Sequence, residues 1–284
     1  MELNSISKEL IKLALEEDIA SGDVTSLSTI SENAEGQVNL LAKQSLRLCG
    51  QDVAEAVIAA GASSLQYKRV LDEGSDLESM TTFATIEGRL RDILSLERTI
   101  LNFLQRLSGI ATQTRALCGL VSEYDVQLLD TRKTIPGFRQ LDKYAVSVGG
   151  GVNHRIGLFD AFLIKDNHID AVGGDVARAI CACRENNPKN LPLQVEVRSL
   201  EELTTALDEL PDMILLDNMT PELMAEAVAL TRAHSKASKT LLEASGGINQ
   251  HTVAAYAATG VDRISTGMLT HSVPAADISM KYAK

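Results

Sequence analysis

Short apolar runs recur along the chain, and from about residue 140 onward they alternate with stretches that have the hydrophobic spacing of a helix. Runs rich in Val, Ile and Leu are typical of strands buried on both faces of a parallel sheet. Their alternation with helical patterns predicts repeated β-α units and an α/β fold. The candidate strands span residues 126–129, 161–164, 193–197, 213–216, 241–244 and 263–265.

The first hundred residues have a different pattern, which predicts an α+β segment. We expect an amphipathic helix near residues 7–17, a turn at the SGDVTS motif, and strands around 38–48 and 64–71. A long helix over 92–121 follows, with a break near Gly109. Two later helices have recognisable starts, a capping box at Ser199 with Glu202 and a proline in the first turn after Thr220.

Composition and charge narrow the classes of function. The net charge of -11 and pI near 5.0 argue against a general binder of nucleic acid or acidic membranes. Residues 130–168 nevertheless carry six Lys or Arg against four Asp, so positive charge is concentrated there. The four cysteines lack CxxC spacing and the amino-terminal segment lacks the features of a signal peptide, so we expect reduced thiols in the cytoplasm.

Each apolar run ends in a polar residue. In a β/α barrel the carboxyl ends of the strands share one rim, where active sites of this architecture lie. A solvated loop is also polar, but six successive examples favour a site. The residues in question are Asp130, Lys165, Glu196, Asp217, Ser245 and Ser265.

The predicted rim separates charges by sign. Its cations come from the first two β-α units, and a mixture of Arg and Lys suits a ligand with several carboxylates or phosphates. The alternative is ordinary ion pairing with Asp130, Asp142 and Asp160. The cations are Arg132, Lys133, His154, Arg155 and Lys165.

Two acids and two glycine loops complete the rim. Glu196 and Asp217 end consecutive strands and are expected to hold Mg²⁺, in part through water, together with a phosphate-bearing substrate. Unrelated acids paired with Lys or Arg are the alternative. The loops at 245–247 and 265–267 have small residues that let backbone N–H groups approach a phosphate, although glycine turns are common.

The segment DTRKTIPGFRQLDKYAVSVGGGVNHRIGLFDAFLIKDNHI, residues 130–169, closely resembles the central signature of quinolinate phosphoribosyltransferases. Further matches are EDIASGDVTS, LERTILNFLQRLSGIAT, VEV, LLDNM, EASGGI and STGMLTHS, which together span nearly the whole chain. The resemblance implies the type II phosphoribosyltransferase fold: an N-terminal α/β sandwich domain at 1–110, joined by the C-terminal tail 272–284, and an incomplete (open) α/β barrel at 111–271.

The resemblance also implies a reaction. Quinolinate and phosphoribosyl pyrophosphate would give nicotinate mononucleotide, pyrophosphate and CO₂, with Mg²⁺ required, as a step of de novo NAD biosynthesis. The enzyme would be a pentosyltransferase that acts as a homodimer, with a higher oligomer left open and no nucleic-acid or membrane partner.

Residue roles are likewise implied by motif position. Arg132, His154 and Arg155 resemble ligands of the two quinolinate carboxylates, with Arg98 reaching in from the other subunit. Lys133 and Lys165 resemble contacts to quinolinate or to phosphates, and Glu196 and Asp217 would lie near the ribose hydroxyls and the metal. These last four form the expected catalytic set. The remaining expected substrate contacts are Thr131, Ser245, Gly246, Gly247, Thr266, Gly267, Met268 and His271.

Three positions depart from the family pattern: Asp166, Arg198 and Thr266. Three competing functions also remain. A paralogue associated with molybdenum transport would have an altered central signature, and a nicotinate-specific transferase would need fewer arginines. A non-catalytic dicarboxylate or nucleotide sensor would have no need for paired acids beside phosphate loops.

Overall fold

The computed structural model of the chain describes residues 1–283. Its helices are α1 (Ser5–Ile19), α2 (Val24–Thr29), α3 (Gln51–Gly61), α4 (Leu90–Leu120), α5 (Arg139–Val148), α6 (Asp166–Ala171), α7 (Val176–Glu185), α8 (Leu200–Asp208), α9 (Pro221–Ala233), α10 (Val253–Ala257) and α11 (Met268–His271). Its strands are β1 (Glu35–Ala42), β2 (Leu46–Arg47), β3 (Gln66–Arg69), β4 (Asp76–Leu77), β5 (Thr82–Arg89), β6 (Gln127–Leu129), β7 (Phe162–Ile164), β8 (Leu193–Val197), β9 (Met213–Asp217), β10 (Leu241–Ser245), β11 (Arg263–Ser265) and β12 (Ile278–Tyr282).

The chain divides into two compact units. The first comprises residues 1–115, 134–150 and the described residues from Leu269 onward, and the second comprises 116–133 and 151–268. No helix within residues 1–283 is long and apolar enough to cross a membrane.

An antiparallel sheet in the order β12-β1-β5-β3 forms the centre of the first unit. The C-terminal strand β12 belongs to it, with Val38 opposite Tyr282 and Ala42 opposite Ile278. The tail that leads to β12 packs closely on α4, because a side chain at Gly109 would collide with the carbonyl oxygen of Pro274. This close approach explains the glycine without any break in α4, which is continuous.

Residues 134–150 group with the first unit, although the sequence predicts them within the barrel domain. Arg106 on α4 forms a two-pronged ion pair with the buried Asp142 of α5, at 3.0 and 2.7 Å. The Tyr144 hydroxyl donates to Glu73 Oε1 at 3.0 Å. Because a buried carboxylate needs such partners, α5 is held by α4 rather than by the strands that flank it in sequence.

The second unit is built on a parallel sheet in the order β6-β11-β10-β9-β8-β7. The first and last strands of this unit, β6 and β11, are neighbours. Among the described residues β6 and β7 do not pair, and on its free edge β6 has only a bridge from Leu129 to Val152. The barrel is therefore open between β6 and β7.

The predicted barrel strands agree with the observed ones to within one residue at each end. Besides the break expected near Gly109, two local predictions were wrong in detail. The SGDVTS motif is not only a turn, because Asp23 accepts hydrogen bonds from Thr25 N and Ser26 N and starts the short helix α2. At α8 only half of the capping box forms: Ser199 caps Glu202 N, whereas the Glu202 carboxylate accepts from Arg198 N at 2.7 Å.

Candidate active site

A cavity of about 470 Å³ opens at the carboxyl ends of the strands in the second unit. Parallel strands bring their ends to one rim, and the cavity collects the side chains and turns that follow them. Many of the residues that line it are ones that the sequence assigns to the site. They are Thr131, Arg132, Lys133, His154, Arg155, Lys165, Glu196, Asp217, Ser245, Gly246 and Gly247. The structure therefore brings the expected cations, acids and one glycine loop together around one space.

The other expected residues are not among those that line this cavity. Thr266 is buried, and its hydroxyl donates to Ile248 O at 2.7 Å and accepts from Met268 N at 3.3 Å. Gly267 and Met268 follow it along the chain. Arg98 on α4 and His271 at the end of α11 are exposed residues of the first unit, so their roles stay predictions.

The departures from the family pattern have local partners. Asp166 Oδ1 accepts from Asn167 N at 2.7 Å in the first turn of α6. Arg198 pairs with Glu202 at 3.0 Å on the exposed surface. Neither lines the cavity, so neither adds charge to its wall.

Two arginines supply the positive wall of the cavity, and both have unused donors. The Nε atoms of Arg132 and Arg155 are buried and have no hydrogen-bond partner. Burial lowers the pKa of Arg155 below its usual value, the nearby charge of Arg132 lowers it further, and Asp160 partly offsets this. Two like charges with buried, unpaired donors on one cavity indicate a site for an anion.

The neighbouring aspartates do not neutralise this wall through direct ion pairs. Asp130 Oδ1 accepts from His154 N at 2.8 Å, and Asp142 is paired with Arg106. Asp160 accepts from the backbone N–H groups of Ile156 and Gly157 at 2.7 and 2.9 Å. The alternative of ordinary ion pairs with these three carboxylates therefore does not account for Arg132 and Arg155.

The acids end neighbouring strands. Glu196 at the end of β8 is nearly buried and forms an ion pair with Lys165 Nζ at 2.8 Å. Asp217 ends β9, and its Oδ2 accepts from Asn218 Nδ2 at 2.7 Å. Within residues 1–283 no group of three His, Cys, Asp or Glu could hold a metal ion. Two carboxylates alone suit Mg²⁺, which keeps water and phosphate oxygens as its other ligands.

A glycine turn borders the acids. Gly246 has φ +100°, and a Cβ atom there would collide with the side chain of Asn218 and lie 2.9 Å from its backbone nitrogen. Gly247 also has a positive φ, with open space on its side-chain face. Within the described residues neither glycine N–H donates a hydrogen bond. Such paired, unoccupied N–H groups in a turn are suited to a phosphate.

Two buried polar residues below the rim escaped the sequence prediction. Gln194 on β8 and Glu243 on β10 are 2% and 1% exposed, and Gln194 Nε2 donates to Glu243 Oε2 at 2.9 Å. Each lies two residues before a predicted rim residue, Glu196 and Ser245, and so faces the same side of its strand. This period-two spacing was the available signal.

Family models match nearly the whole chain. The model for the N-terminal domain of quinolinate phosphoribosyl transferase matches residues 23–108, and that for its C-terminal domain matches 110–281. The chain belongs to the quinolinate phosphoribosyl transferase family. The two models divide the chain between residues 108 and 110, whereas contacts in the structure place 134–150 in the first unit.

Similar proteins extend the likeness over nearly the whole chain. A nicotinate-nucleotide pyrophosphorylase [carboxylating] of Mycobacterium leprae is 41% identical, with 96% of each chain covered. A mitochondrial quinolinate phosphoribosyltransferase [decarboxylating] of Nicotiana tabacum is 39% identical over 96% of this chain and 81% of its own. A solved nicotinate-nucleotide pyrophosphorylase from Francisella tularensis has 40% identity and a TM-score of 0.92, covering 100% and 98% of the two chains. The chain thus has the type II phosphoribosyltransferase fold, as the sequence predicts.

Proposed function

We propose that this chain is a quinolinate phosphoribosyltransferase that forms nicotinate mononucleotide, pyrophosphate and CO₂ from quinolinate and phosphoribosyl pyrophosphate, in de novo NAD biosynthesis. The observation that carries the proposal is one cavity that brings together unpaired arginine donors, two acids from the ends of neighbouring strands and a glycine turn. The arginines suit a pyridine dicarboxylate, and the acids with the glycine turn suit a phosphorylated sugar with its metal. The relatives named above are transferases with this reaction in their names.

Arg132 and Arg155 are assigned to the quinolinate carboxylates. Their buried Nε atoms make charge-assisted hydrogen bonds only when an anion enters, so binding removes both the unpaired donors and the repulsion between the two guanidinium groups. Lys133 and Lys165 add charge at the same wall, and Lys165 exchanges part of its contact with Glu196 for a substrate oxygen. His154 supports Arg155, whose backbone N–H donates to His154 Nδ1.

The Gly246 and Gly247 N–H groups and Ser245 are assigned to the 5-phosphate, together with 266–268 and His271 by family position. Glu196 and Asp217 are assigned to the ribose hydroxyls and to Mg²⁺. When bound, Mg²⁺ neutralises the charge of the departing pyrophosphate. The donor set fits it, because Glu196 and Asp217 end neighbouring strands and line the same cavity, where their carboxylates could hold Mg²⁺ together with phosphate oxygens and water.

The chemistry follows from these positions. The ring nitrogen of quinolinate attacks C1 of the ribose while pyrophosphate leaves with the bonding electrons, and Glu196 and Asp217 stabilise the positive charge that builds on the sugar. The quaternised ring then accepts the electrons released as the adjacent carboxylate leaves as CO₂, and a proton takes its place on the ring carbon. No further cofactor is needed for the electron balance.

The active assembly is proposed to be a homodimer in the cytoplasm. The exposed Arg98 is assigned, from the ERT motif, to the active site of the partner subunit, where it adds another cation for the dicarboxylate. The absence of direct aspartate pairs from Arg132 and Arg155 fits a ligand with more than one carboxylate, which a nicotinate-specific transferase would not bind.

The test is to supply the purified protein with quinolinate, phosphoribosyl pyrophosphate and Mg²⁺, and to follow nicotinate mononucleotide and CO₂. Equal amounts of the two products support the proposal. Replacement of quinolinate by nicotinate serves as the control for substrate class. Tight quinolinate binding without product would instead favour the sensor, and turnover with nicotinate but not quinolinate would favour the nicotinate enzyme.

A further inference from the structure

We propose that Glu243 is a positioning residue which acts through Gln194 and His154 to hold Arg155 in its quinolinate-binding position. This inference rests on the proposed function of the same site. Glu243 is buried in the barrel interior on β10, and neither it nor Gln194 is assigned a role in the mechanism above.

A continuous chain of hydrogen bonds connects the four residues. Gln194 Nε2 donates to Glu243 Oε2 at 2.9 Å, and His154 Nε2 lies 3.1 Å from Gln194 Oε1. The Arg155 backbone N–H donates to His154 Nδ1 at 2.8 Å. The chain therefore runs from the barrel interior to a residue of the positive wall.

With Glu243 ionised, the donors and acceptors in this series of hydrogen bonds allow only one arrangement of the protons. An ionised carboxylate only accepts hydrogen bonds, so Glu243 requires the amide NH₂ of Gln194 to face it and the amide oxygen to face His154. That oxygen in turn needs a donor, which is His154 Nε2–H. With its proton on Nε2, the neutral imidazole leaves Nδ1 as the acceptor that the Arg155 N–H requires.

The charge state of Glu243 supports the proposal that Glu243 sets the orientation of the Gln194 amide. Burial acts to raise its pKa, hydrogen bonds to its oxygens, including the one that Gln194 donates, act to lower it, and the net shift is downward, which favours the ionised carboxylate. Its Oε1 lies 3.5 Å from His154 Nε2 and has no hydrogen-bond partner among the described residues. Other charged groups around the same cavity are Arg132, Lys133, Arg155, Lys165, Glu196 and Asp217.

These hydrogen bonds help to fix the position of Arg155. Its Nη1 donates to Ala161 O at 3.1 Å, which fixes one end of the guanidinium, while the His154 ring fixes the backbone at the other end. Between these anchors the buried Nε is left for the ligand. If Gln194 turns its amide, His154 Nε2–H loses its acceptor and the arginine loses one anchor.

The test uses Glu243→Gln, which keeps the shape of the side chain but can also donate, so it no longer dictates the orientation of Gln194. We expect the KM for quinolinate to rise by about tenfold, as for loss of one positioned hydrogen bond to a charged group, and the KM for phosphoribosyl pyrophosphate to stay within about twofold. Glu226→Gln, an exposed carboxylate on α9, is the matched control.

The double variant Gln194→Glu with Glu243→Gln exchanges the carboxylate and the amide. Glu at 194 would accept from both His154 Nε2–H and the new amide, so we expect quinolinate KM to return to within about threefold of the wild type. Nitrogen-15 NMR of histidine-labelled protein, with the His154 signals assigned from a His154→Asn variant, should show Nδ1 unprotonated in the wild type and a mixed state in Glu243→Gln.

Three results would overturn the proposal. They are equal rises of both KM values, a double variant that melts like the wild type yet recovers no quinolinate affinity, and a proton on His154 Nδ1 in the wild-type protein. Failure of the proposed function is distinguishable, because wild-type protein would then make no nicotinate mononucleotide. In that event, the NMR comparison of wild type with Glu243→Gln still tests whether Glu243 determines which ring nitrogen of His154 carries the proton.

Discussion

Replacement of Arg155 by alanine gives the sharpest test of the positive wall. The change removes a guanidinium whose buried Nε has no partner in the free protein. If that donor binds a quinolinate carboxylate, its loss costs about 1.5 to 3 kcal/mol, the range for a hydrogen bond between charged groups. Since about 1.4 kcal/mol corresponds to a tenfold change, quinolinate KM should rise by about 10- to 150-fold.

The specificity of the loss is as informative as its size. Phosphoribosyl pyrophosphate is assigned to the two acids and the glycine turn, not to Arg155, so its KM should stay within about threefold. Arg155→Lys keeps the charge but cannot form a planar two-pronged contact, and an intermediate rise is expected. Arg178→Ala, an exposed arginine on α7 outside the cavity, is the matched control.

Steady-state kinetics with each substrate varied in turn would check this, with melting temperatures to exclude unfolding. Arg155→Ala loses the contact with Ala161 O but also removes repulsion between Arg155 and Arg132, so we expect only a small change in stability. The reasoning is refuted if the two KM values rise equally, or if the Arg178 variant loses as much quinolinate affinity.

Three further outcomes are expected. A mixture of Arg98→Ala and Arg155→Ala proteins should regain part of the activity that each lacks, because a hybrid dimer contains one intact site; no recovery on mixing and reassembly would refute sharing. Gly246→Ala should raise phosphoribosyl pyrophosphate KM and lower the melting temperature, since a Cβ clashes there and φ is +100°, whereas Gly119→Ala on α4 meets no atom within 4 Å and should be neutral or stabilising. Hydrogen bonds from Ser26 chiefly lower the pKa of Asp23, so its stabilising effect is present above the ordinary value of 3.8 and is lost as pH falls through the lowered pKa. Urea unfolding of Asp23→Ala should therefore differ from wild type at a pH well above 3.8, and the difference should shrink as the pH falls below that value. A difference independent of pH would count against this cap.

The barrel strands were predictable because burial on both faces forces continuous apolar runs, and polar chemistry can begin only where the strand ends. For that reason Glu196 and Asp217 could be located from the sequence as ends of β8 and β9. The opening between β6 and β7 was not derivable from the pattern. It depends on the bridge between Leu129 and Val152, a long-range pairing that local periodicity does not encode.

The placement of 134–150 needed tertiary information for the same reason. Its helix α5 has the amphipathic pattern expected of a barrel helix, and only the contact between Arg106 and Asp142 shows which unit it joins. Burial raises the pKa of Asp142, and the Arg106 guanidinium opposes that effect. Two residues 36 positions apart carry no local signal of their pairing.

The buried polar residues below the rim, Gln194 and Glu243, need an explanation that the rim residues do not. A buried carboxylate beneath a cavity for anionic substrates opposes their binding, and well-packed apolar residues in place of buried charges are often neutral or stabilising. Gln194 and Glu243 are therefore hard to explain by stability alone. Their value must lie in the order that they impose: an acceptor-only carboxylate orients an amide, the amide sets the histidine proton, and the histidine anchors Arg155. The cost of one buried charge is thus offset by a positive wall that is already in position when the dicarboxylate arrives.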